Sequence, residues 1–259
     1  MNTKWITNKI NQHYLIDAED RYMERCLTGT GYQTRNWRHV QKLVPPGGTA
    51  VDVGASIGMN TVNYAGYFDT VHSFEPDPDI YSCLCETVRA NHCAQVHTHR
   101  VALSHAHTQG CLVKFPRATF ANTLKPIGYQ GRTRPQIDVI THTLDSYELT
   151  GVSLIKIDVE GWELQVLQGA EHTITCQQPV VQVEINPLML KRAHSTAEQI
   201  SAWFHSRNYV QTHWSTPQLE FVVKHNRITA PDEDKNLVDF WFVPKRYYHN
   251  RLTPHKHVL

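Results

Sequence analysis

The chain has 259 residues, 41% hydrophobic and 19% charged, a balance that suits one large soluble globular domain, or one domain with terminal additions. Its formal net charge of +1 excludes a polycation built along its whole length for nucleic acid and leaves only local basic patches for that role. Residues 1–44 are polar with spaced apolar positions and predict helices. In "DAEDRYMERCL" the residues Tyr22, Cys26 and Leu27 share a helical face. "VPPGG", Val44 to Gly48, is a strong breaker. It separates an N-terminal helical extension, 1–45, from a main domain, 46–248, which a basic tail follows, 249–259.

"TAVDVG" predicts a short buried strand ending at a glycine, and "MNTVNYAGYF" a helix. "TVHSFEP", Thr70 to Pro76, predicts a second strand with an acid at its carboxyl end. "PDIYSCLCETVRAN" follows as a helix with Ile80, Leu84 and Val88 on one face. "QVHTHRVAL" is a third strand, and "GCLVKFP" and "QIDVITHTLDSY" add further strands. "VSLIKIDVEG", Val152 to Gly161, is a buried strand ending in carboxylates, with "WELQVLQGAEHTI" as the helix after it. "PVVQVEIN" is another strand with an acid near its end. "TAEQISAWFHSRNY" is an amphipathic helix capped by Ser195 or Thr196, and "LVDFWFVPK" is the last strand. No internal repeat or low-complexity segment occurs.

Strands alternating with helices predict an α/β fold, a mostly parallel sheet with helices on both faces. Ligands of such sheets sit outside the carboxyl ends of the strands. Asp52, Glu75, Asp158 and Glu184 all fall at or near those ends.

The six cysteines, Cys26, Cys83, Cys85, Cys93, Cys111 and Cys176, form no C-x-x-C pair, which fits free thiols in a reducing compartment. The 17 histidines form no H-E-x-x-H pair and read as surface groups. Residues 1–20 hold no apolar run long enough for a signal-peptide core, and nothing downstream approaches a membrane span. The expected location is cytoplasmic, without membrane contact.

Gly54-Ala55-Ser56-Ile57-Gly58 matches G-x-S-x-G, the nucleophile elbow of serine hydrolases. Its context argues otherwise. No His-Gly-Gly loop precedes it, and Asp52 would oppose the negative charge that develops in an oxyanion hole. A late Asp158 and His205 could complete a triad only by chance. A cofactor loop explains more residues. Gly54 lets the chain turn sharply, Gly58 lets a helix and ligand approach, and Glu75, at the end of the next strand, can accept both hydroxyls of a ribose. The dinucleotide fingerprint G-x-G-x-x-G is absent. S-adenosylmethionine has no phosphate to cradle but carries an α-amino group and a sulfonium, so nearby acids suit it.

"VDVGASIGMNT", "SFEPDP", "THTLDSY", "LIKIDVEGWELQVLQGA" and "VVQVEIN" resemble the FkbM-type S-adenosylmethionine-dependent methyltransferases, over roughly residues 48–187. The resemblance implies a Rossmann-like class I methyltransferase with a seven-stranded, mostly parallel sheet whose last strand is antiparallel. It implies methyl transfer to oxygen, often on a sugar or natural-product scaffold. By position it places Asp52, Gly54, Ala55, Ser56, Gly58 and Asn60 around the methionine part of the cofactor. Glu75, with Pro76 beside it, would hold the ribose, Ala102 and Leu103 would lie near the adenine, and Asp158 near the transferred methyl. The sequence departs from the family at Ser56, where Asn is usual, and at Trp162, where a small residue is common. It also has Gly31-Tyr32-Gln33 where a glycine-aromatic-Glu element is often found.

Methyl transfer to a hydroxyl needs alignment and removal of a proton. Asp158, Glu160 and Glu184 are the acids best placed for that work. No metal ligand set is assigned. The same three carboxylates could instead hold a divalent cation that lowers the acceptor's pKa, or Glu160 could simply cap the helix near Gly161. The expected partner is a small-molecule or glycan acceptor. Basic stretches at 117–136 (Arg117, Lys125, Arg132, Arg134) and 245–257 (with Tyr247 and Tyr248) keep RNA or an RNA cap open as the alternative acceptor. A non-catalytic module that binds S-adenosylmethionine is the third reading. Oligomeric state is not legible.

Overall fold

The computed structural model describes residues 1–29, 32–115, 122–124, 134–215, 220–223 and 238–247. Gly31, Arg117, Lys125 and Arg132 and the tail from Tyr248 onward lie outside these. Nine elements lead to and flank the first half of the main sheet. They are β1 (Thr3–Thr7), β2 (His13–Asp17), α1 (Arg21–Thr28), α2 (Tyr32–Leu43), β3 (Thr49–Val53), α3 (Met59–Ala65), β4 (Thr70–Phe74), α4 (Pro78–Ala90) and β5 (Val96–His99). The central segment adds β6 (Ala102–Leu103), β7 (Thr108–Val113), β8 (Thr123–Leu124) and β9 (Gln136–His142). The second half contains β10 (Val152–Ile157), α5 (Glu163–Gln168), α6 (Glu171–Gln177), β11 (Val180–Ile185), α7 (Pro187–Arg192), α8 (Ala197–His205), β12 (Tyr209–Ser215), β13 (Glu220–Val223) and β14 (Val238–Pro244).

The main sheet has the order β13-β12-β14-β11-β10-β3-β4-β5. Strands β5, β4, β3, β10 and β11 pair in parallel, while β14 runs antiparallel to both β11 and β12. The expected seven strands with an antiparallel last strand are therefore present, and β13 adds an eighth as a hairpin partner of β12.

Residues of β3 and β11 are buried throughout. Their near-continuous Val, Ile and Ala runs suit strands covered on both faces. Side chains alternate between two layers of core. Val51, Val53, Ile155 and Ile157 join Phe240, Phe242 and Phe204 of α8 on one face. Ala50, Leu154 and Trp241 meet Val40 and Leu43 of α2 on the other. Each fully buried Val, Leu, Ile or Phe contributes about 1.5–3 kcal/mol.

The order of connection reverses between β3 and β10. From β3 the chain moves outward to β4 and β5, and after β10 it moves the opposite way to β11. A crevice opens at such a reversal, outside the carboxyl ends of the strands.

Two expectations need correction. The N-terminal extension is not helical throughout, because β1 and β2 form an antiparallel hairpin before α1 and α2. Tyr14 and Ile16 of β2 point inward with a period of two, packing with Met23, Leu27, Ile80 and Cys83. Leu15 N donates to Thr87 Oγ1 at 3.2 Å and His13 N to Asn91 Oδ1 at 3.0 Å, which fixes the hairpin on α4. The strands expected at "GCLVKFP" and "QIDVITHTLDSY" do not extend the main sheet. They build a second sheet of order β6-β9-β7-β8, from which Ala102, Leu103, Leu112 and Leu124 line the crevice. All six cysteines are free, and among the described residues no helix is long and apolar enough to cross a membrane.

Candidate active site

The loop after β3 is shaped by three left-handed residues, Gly54 (φ 77°), Ser56 (φ 50°) and Gly58 (φ 93°). Gly54 is required twice over, since a Cβ there would lie 1.9 Å from the carbonyl oxygen of Asp158. The ends of β3 and β10 touch backbone to backbone at this point. Gly54 N and Ala55 N both donate to Phe74 O at 3.0 Å, which ties the loop to the end of β4.

Glu75 follows β4 and is 7% exposed. Its Oε2 accepts from Ser56 N at 3.0 Å and its Oε1 from Asp77 N at 2.9 Å. Each carboxylate oxygen keeps a second lone pair for an incoming hydroxyl. Burial pushes the Glu75 carboxyl up to about 7, against the pull of the Asp77 and Ser56 amides.

A cleft runs from this loop along the strand ends, enclosing about 1130 Å³ of empty space with its open mouth included. Gly54, Ala55, Ser56, Asn60, Glu75, Pro76, Ala102 and Leu103 line it, together with Asp158, Glu160 and Glu184. Two expected cofactor residues do not reach it. Asp52 is fully buried behind the loop, with its Oδ2 accepting from Thr61 Oγ1 at 2.7 Å. Gly58 faces α4, where a Cβ would meet Leu84 at 2.9 Å. Among the described residues Ser56 Oγ is buried with no hydrogen-bond partner, and so with no imidazole to activate it.

The other end of the cleft is acidic. Lys156 of β10 is 3% exposed, and its ammonium donates to Asp158 Oδ2 at 2.9 Å and stands 3.9 Å from Asp52 Oδ1. Burial alone would lower its pKa, but Asp158 and Asp52 hold it well above the ordinary lysine range. Burial would raise Asp158, and the Lys156 ammonium with a hydrogen bond from Glu184 overrides that and lowers it. Glu184, at the end of β11, is held well above the usual carboxyl range by burial and by the Asp158 charge. Glu160 is pushed up to about 8 by burial, Asp158 and Glu163. Carboxylate oxygens of Asp158, Glu160 and Glu184 all lie within 4.8 Å of one another.

Glu160 is not the helix cap. Glu163 Oε1 accepts from Gly161 N at 2.9 Å and from Val159 N at 3.3 Å, which fastens the turn between β10 and α5. Gly161 (φ 109°) packs so closely on α7 that a Cβ would sit 2.5 Å from Met189 O. Glu160 itself takes a left-handed φ of 55° and turns its carboxylate to the cleft. Trp162 packs beside the second sheet, donating its indole N–H to Ser104 Oγ at 3.0 Å, and is not among the lining residues.

Sequence reasoning missed Lys156 and the wall that α1 provides. Tyr22, Met23 and Cys26 line the cleft facing the acids, and Asn122 and Leu124 close it from the second sheet. Lys156 had a signal, being a cation inside the otherwise apolar run "VSLIKI". The histidine reading also needs correction. His72 and His99 are half-buried, their Nδ1 and Nε2 atoms 3.1 Å apart, and burial pushes the His99 imidazole down to about 4.

A family model described as the methyltransferase FkbM domain matches residues 52–210, more than half of the chain. Among solved structures the chain is similar to methyltransferase FkbM from Methylobacillus flagellatus KT, at 17% identity and a TM-score of 0.48, over 76% of this chain and 43% of that one. It therefore spans less than half the length of that relative. It is also similar to M. jannaschii TYW2 in complex with AdoMet, at 11% identity and a TM-score of 0.42, over 93% of this chain and 84% of that chain. A third is precorrin-6y C5,15-methyltransferase from Geobacter metallireducens GS-15, at 10% identity and a TM-score of 0.43, over 81% and 85%. No curated protein matches the chain closely enough in sequence to count as a relative.

Proposed function

The chain belongs to the FkbM methyltransferase family, and from that premise we propose that it transfers the methyl group of S-adenosylmethionine to a hydroxyl oxygen of a sugar or other small-molecule or glycan acceptor. The observation that carries this reading is a cleft with Glu75, held by two backbone amides, at one end and a group of carboxylates at the other. Glu75, oriented by two backbone amides, would take the two ribose hydroxyls. The methionine part would follow the Gly54–Asn60 loop, and the adenine would lie against Ala102 and Leu103. The methyl group then faces the space between Asp158, Glu160, Glu184 and Tyr22 of α1.

The sulfonium supplies an activated methyl, so the protein's tasks are alignment and proton removal. The acceptor oxygen forms the new O–C bond as the S–C bond breaks in line. The electron pair stays on sulfur, and the acceptor's proton passes to a carboxylate of the acidic group. Asp158 accepts hydrogen bonds from Lys156 at 2.9 Å and from Glu184, and Glu160 lies beside the pair. The α1 wall would cover the acceptor and exclude water.

A labelled-methyl assay with S-adenosylmethionine, a panel of sugars and small hydroxyl compounds, and RNA tests this directly. The expected result is label on a sugar or small-molecule hydroxyl and none on RNA. Label on RNA alone would favour the alternative acceptor, and no transfer at all, with the cofactor still bound, would favour a binding module.

A further inference from the structure

We propose that Asp158, Glu160 and Glu184 form a site for one hard divalent cation, Mg²⁺, Mn²⁺ or Ca²⁺, beside the point of methyl transfer. The donor set is three carboxylates from two adjacent strand ends, with their oxygens within 4.8 Å of one another. A point central to three such oxygens lies at most about 2.8 Å from each, and protein Ca²⁺–oxygen distances run about 2.3–2.6 Å. A side-chain shift of a few tenths of an ångström seats the ion. An all-oxygen set selects hard cations over zinc or copper.

A second observation points to a ligand rather than to a solvated acidic patch. Glu160 is 7% exposed, yet its carboxylate accepts no hydrogen bond and makes no ion pair among the described residues, and it faces this cluster. Its carboxylate lines the cleft without a protein donor, open to a ligand that enters there. Among the described residues, the ammonium that acts on Glu160 is that of Lys156, which is already divided between Asp158 at 2.9 Å and Asp52 at 3.9 Å. Asp52 Oδ1 and Glu163 Oε2 are also buried without a hydrogen bond. Among the described residues, Asp52, Asp158 and Glu160 thus all draw on this one lysine. A dication at the centre of the three cleft-facing carboxylates gives Glu160 the partner it lacks. Its open positions face the cleft, where an acceptor hydroxyl and a neighbouring oxygen can complete the coordination. That orienting role rests on the methyl-transfer reading, whereas the binding of the ion does not.

The test is a titration of the full chain with Mn²⁺ alone, without cofactor or acceptor, following free Mn²⁺ by electron paramagnetic resonance, then competition by Mg²⁺ and Ca²⁺. The expected result is one Mn²⁺ per chain, with affinity falling on the order of tenfold or more in Glu160→Gln. Glu171→Gln, at an exposed surface position, should bind as the wild type does. Thermal melting establishes that Glu160→Gln is folded, and Glu184→Gln carries the comparison if it is not. No binding by the wild-type chain up to about 10 mM, beyond the weak end of protein calcium sites, overturns the proposal. So does equal binding by a folded Glu160→Gln or Glu184→Gln variant. Ion binding without methyl transfer would leave the site standing and remove the enzymatic reading, and transfer without ion binding would do the reverse.

Discussion

At the scale of single residues, the proposed cofactor end rests on Glu75 and Gly54. Glu75 is positioned by amides of two loops, Ser56 N after β3 and Asp77 N after β4, so its role depends on charge more than on packing. Its carboxyl is raised to about 7 from an ordinary 4.5. Below that value it holds a proton, and one of its oxygens can no longer accept freely. Affinity for S-adenosylmethionine should therefore rise as pH rises through about 7 and level off above it. Calorimetry across that range checks the sign, and Glu75→Gln should flatten the dependence and bind more weakly at every pH. The same shift has the opposite consequence for stability. The folded chain keeps this proton where the unfolded chain has lost it, so the group's contribution falls as pH rises between 4.5 and about 7. Gly54→Ala places a methyl where the Asp158 carbonyl stands, at a φ of 77°. A loss of about 1–3 kcal/mol or more is expected, read as a lower melting temperature together with lost cofactor binding.

At the scale of elements, the turn between β10 and α5 decides where the acids point. Glu160 stays left-handed because Glu163 fastens the backbone on both sides of it and Gly161 fits under α7. Glu163→Ala leaves the Val159 and Gly161 amides without their acceptor and should cost about 1–3 kcal/mol. Methyl transfer should fall further than cofactor affinity, because Glu75 lies at the far end of the cleft. The hairpin acts at the next remove. Tyr14→Ala opens a cavity under α1 and should cost about 3–5 kcal/mol. Hydrogen exchange should rise first in Met23–Leu27, the segment that walls the cleft. These two elements were legible to different degrees. "IKIDVEG" announces strand, acids and turn, because its carboxylates follow an apolar run. The hairpin has only five-residue strands of mixed polarity, and Tyr14 and Ile16 as its sole fully buried pair, a pattern too short to stand out from a helical one.

At the scale of the whole molecule, the order of strands does what no single motif does. It brings Glu75 and Asp158, 83 positions apart in the chain, to two ends of one cleft at the reversal beside β3. The alternation of strands and helices made the parallel sheet and the carboxyl ends of its strands readable from sequence, but not the strand order. The second sheet and the α1 wall were not readable, since they depend on contacts between segments with no local marker. Asp52 shows the reverse case. Its place before the glycine loop suggested a cofactor contact, but inward alternation along β3 puts it behind the loop with Thr61 and Lys156.

The central claim is that this cleft holds S-adenosylmethionine with its ribose on Glu75. Titrating S-adenosylmethionine into the wild-type chain and into Glu75→Ala by calorimetry tests it most directly. One molecule should bind per wild-type chain and none measurably to the variant. Absence of binding by the wild type, or equal binding by a folded Glu75→Ala, would contradict the account.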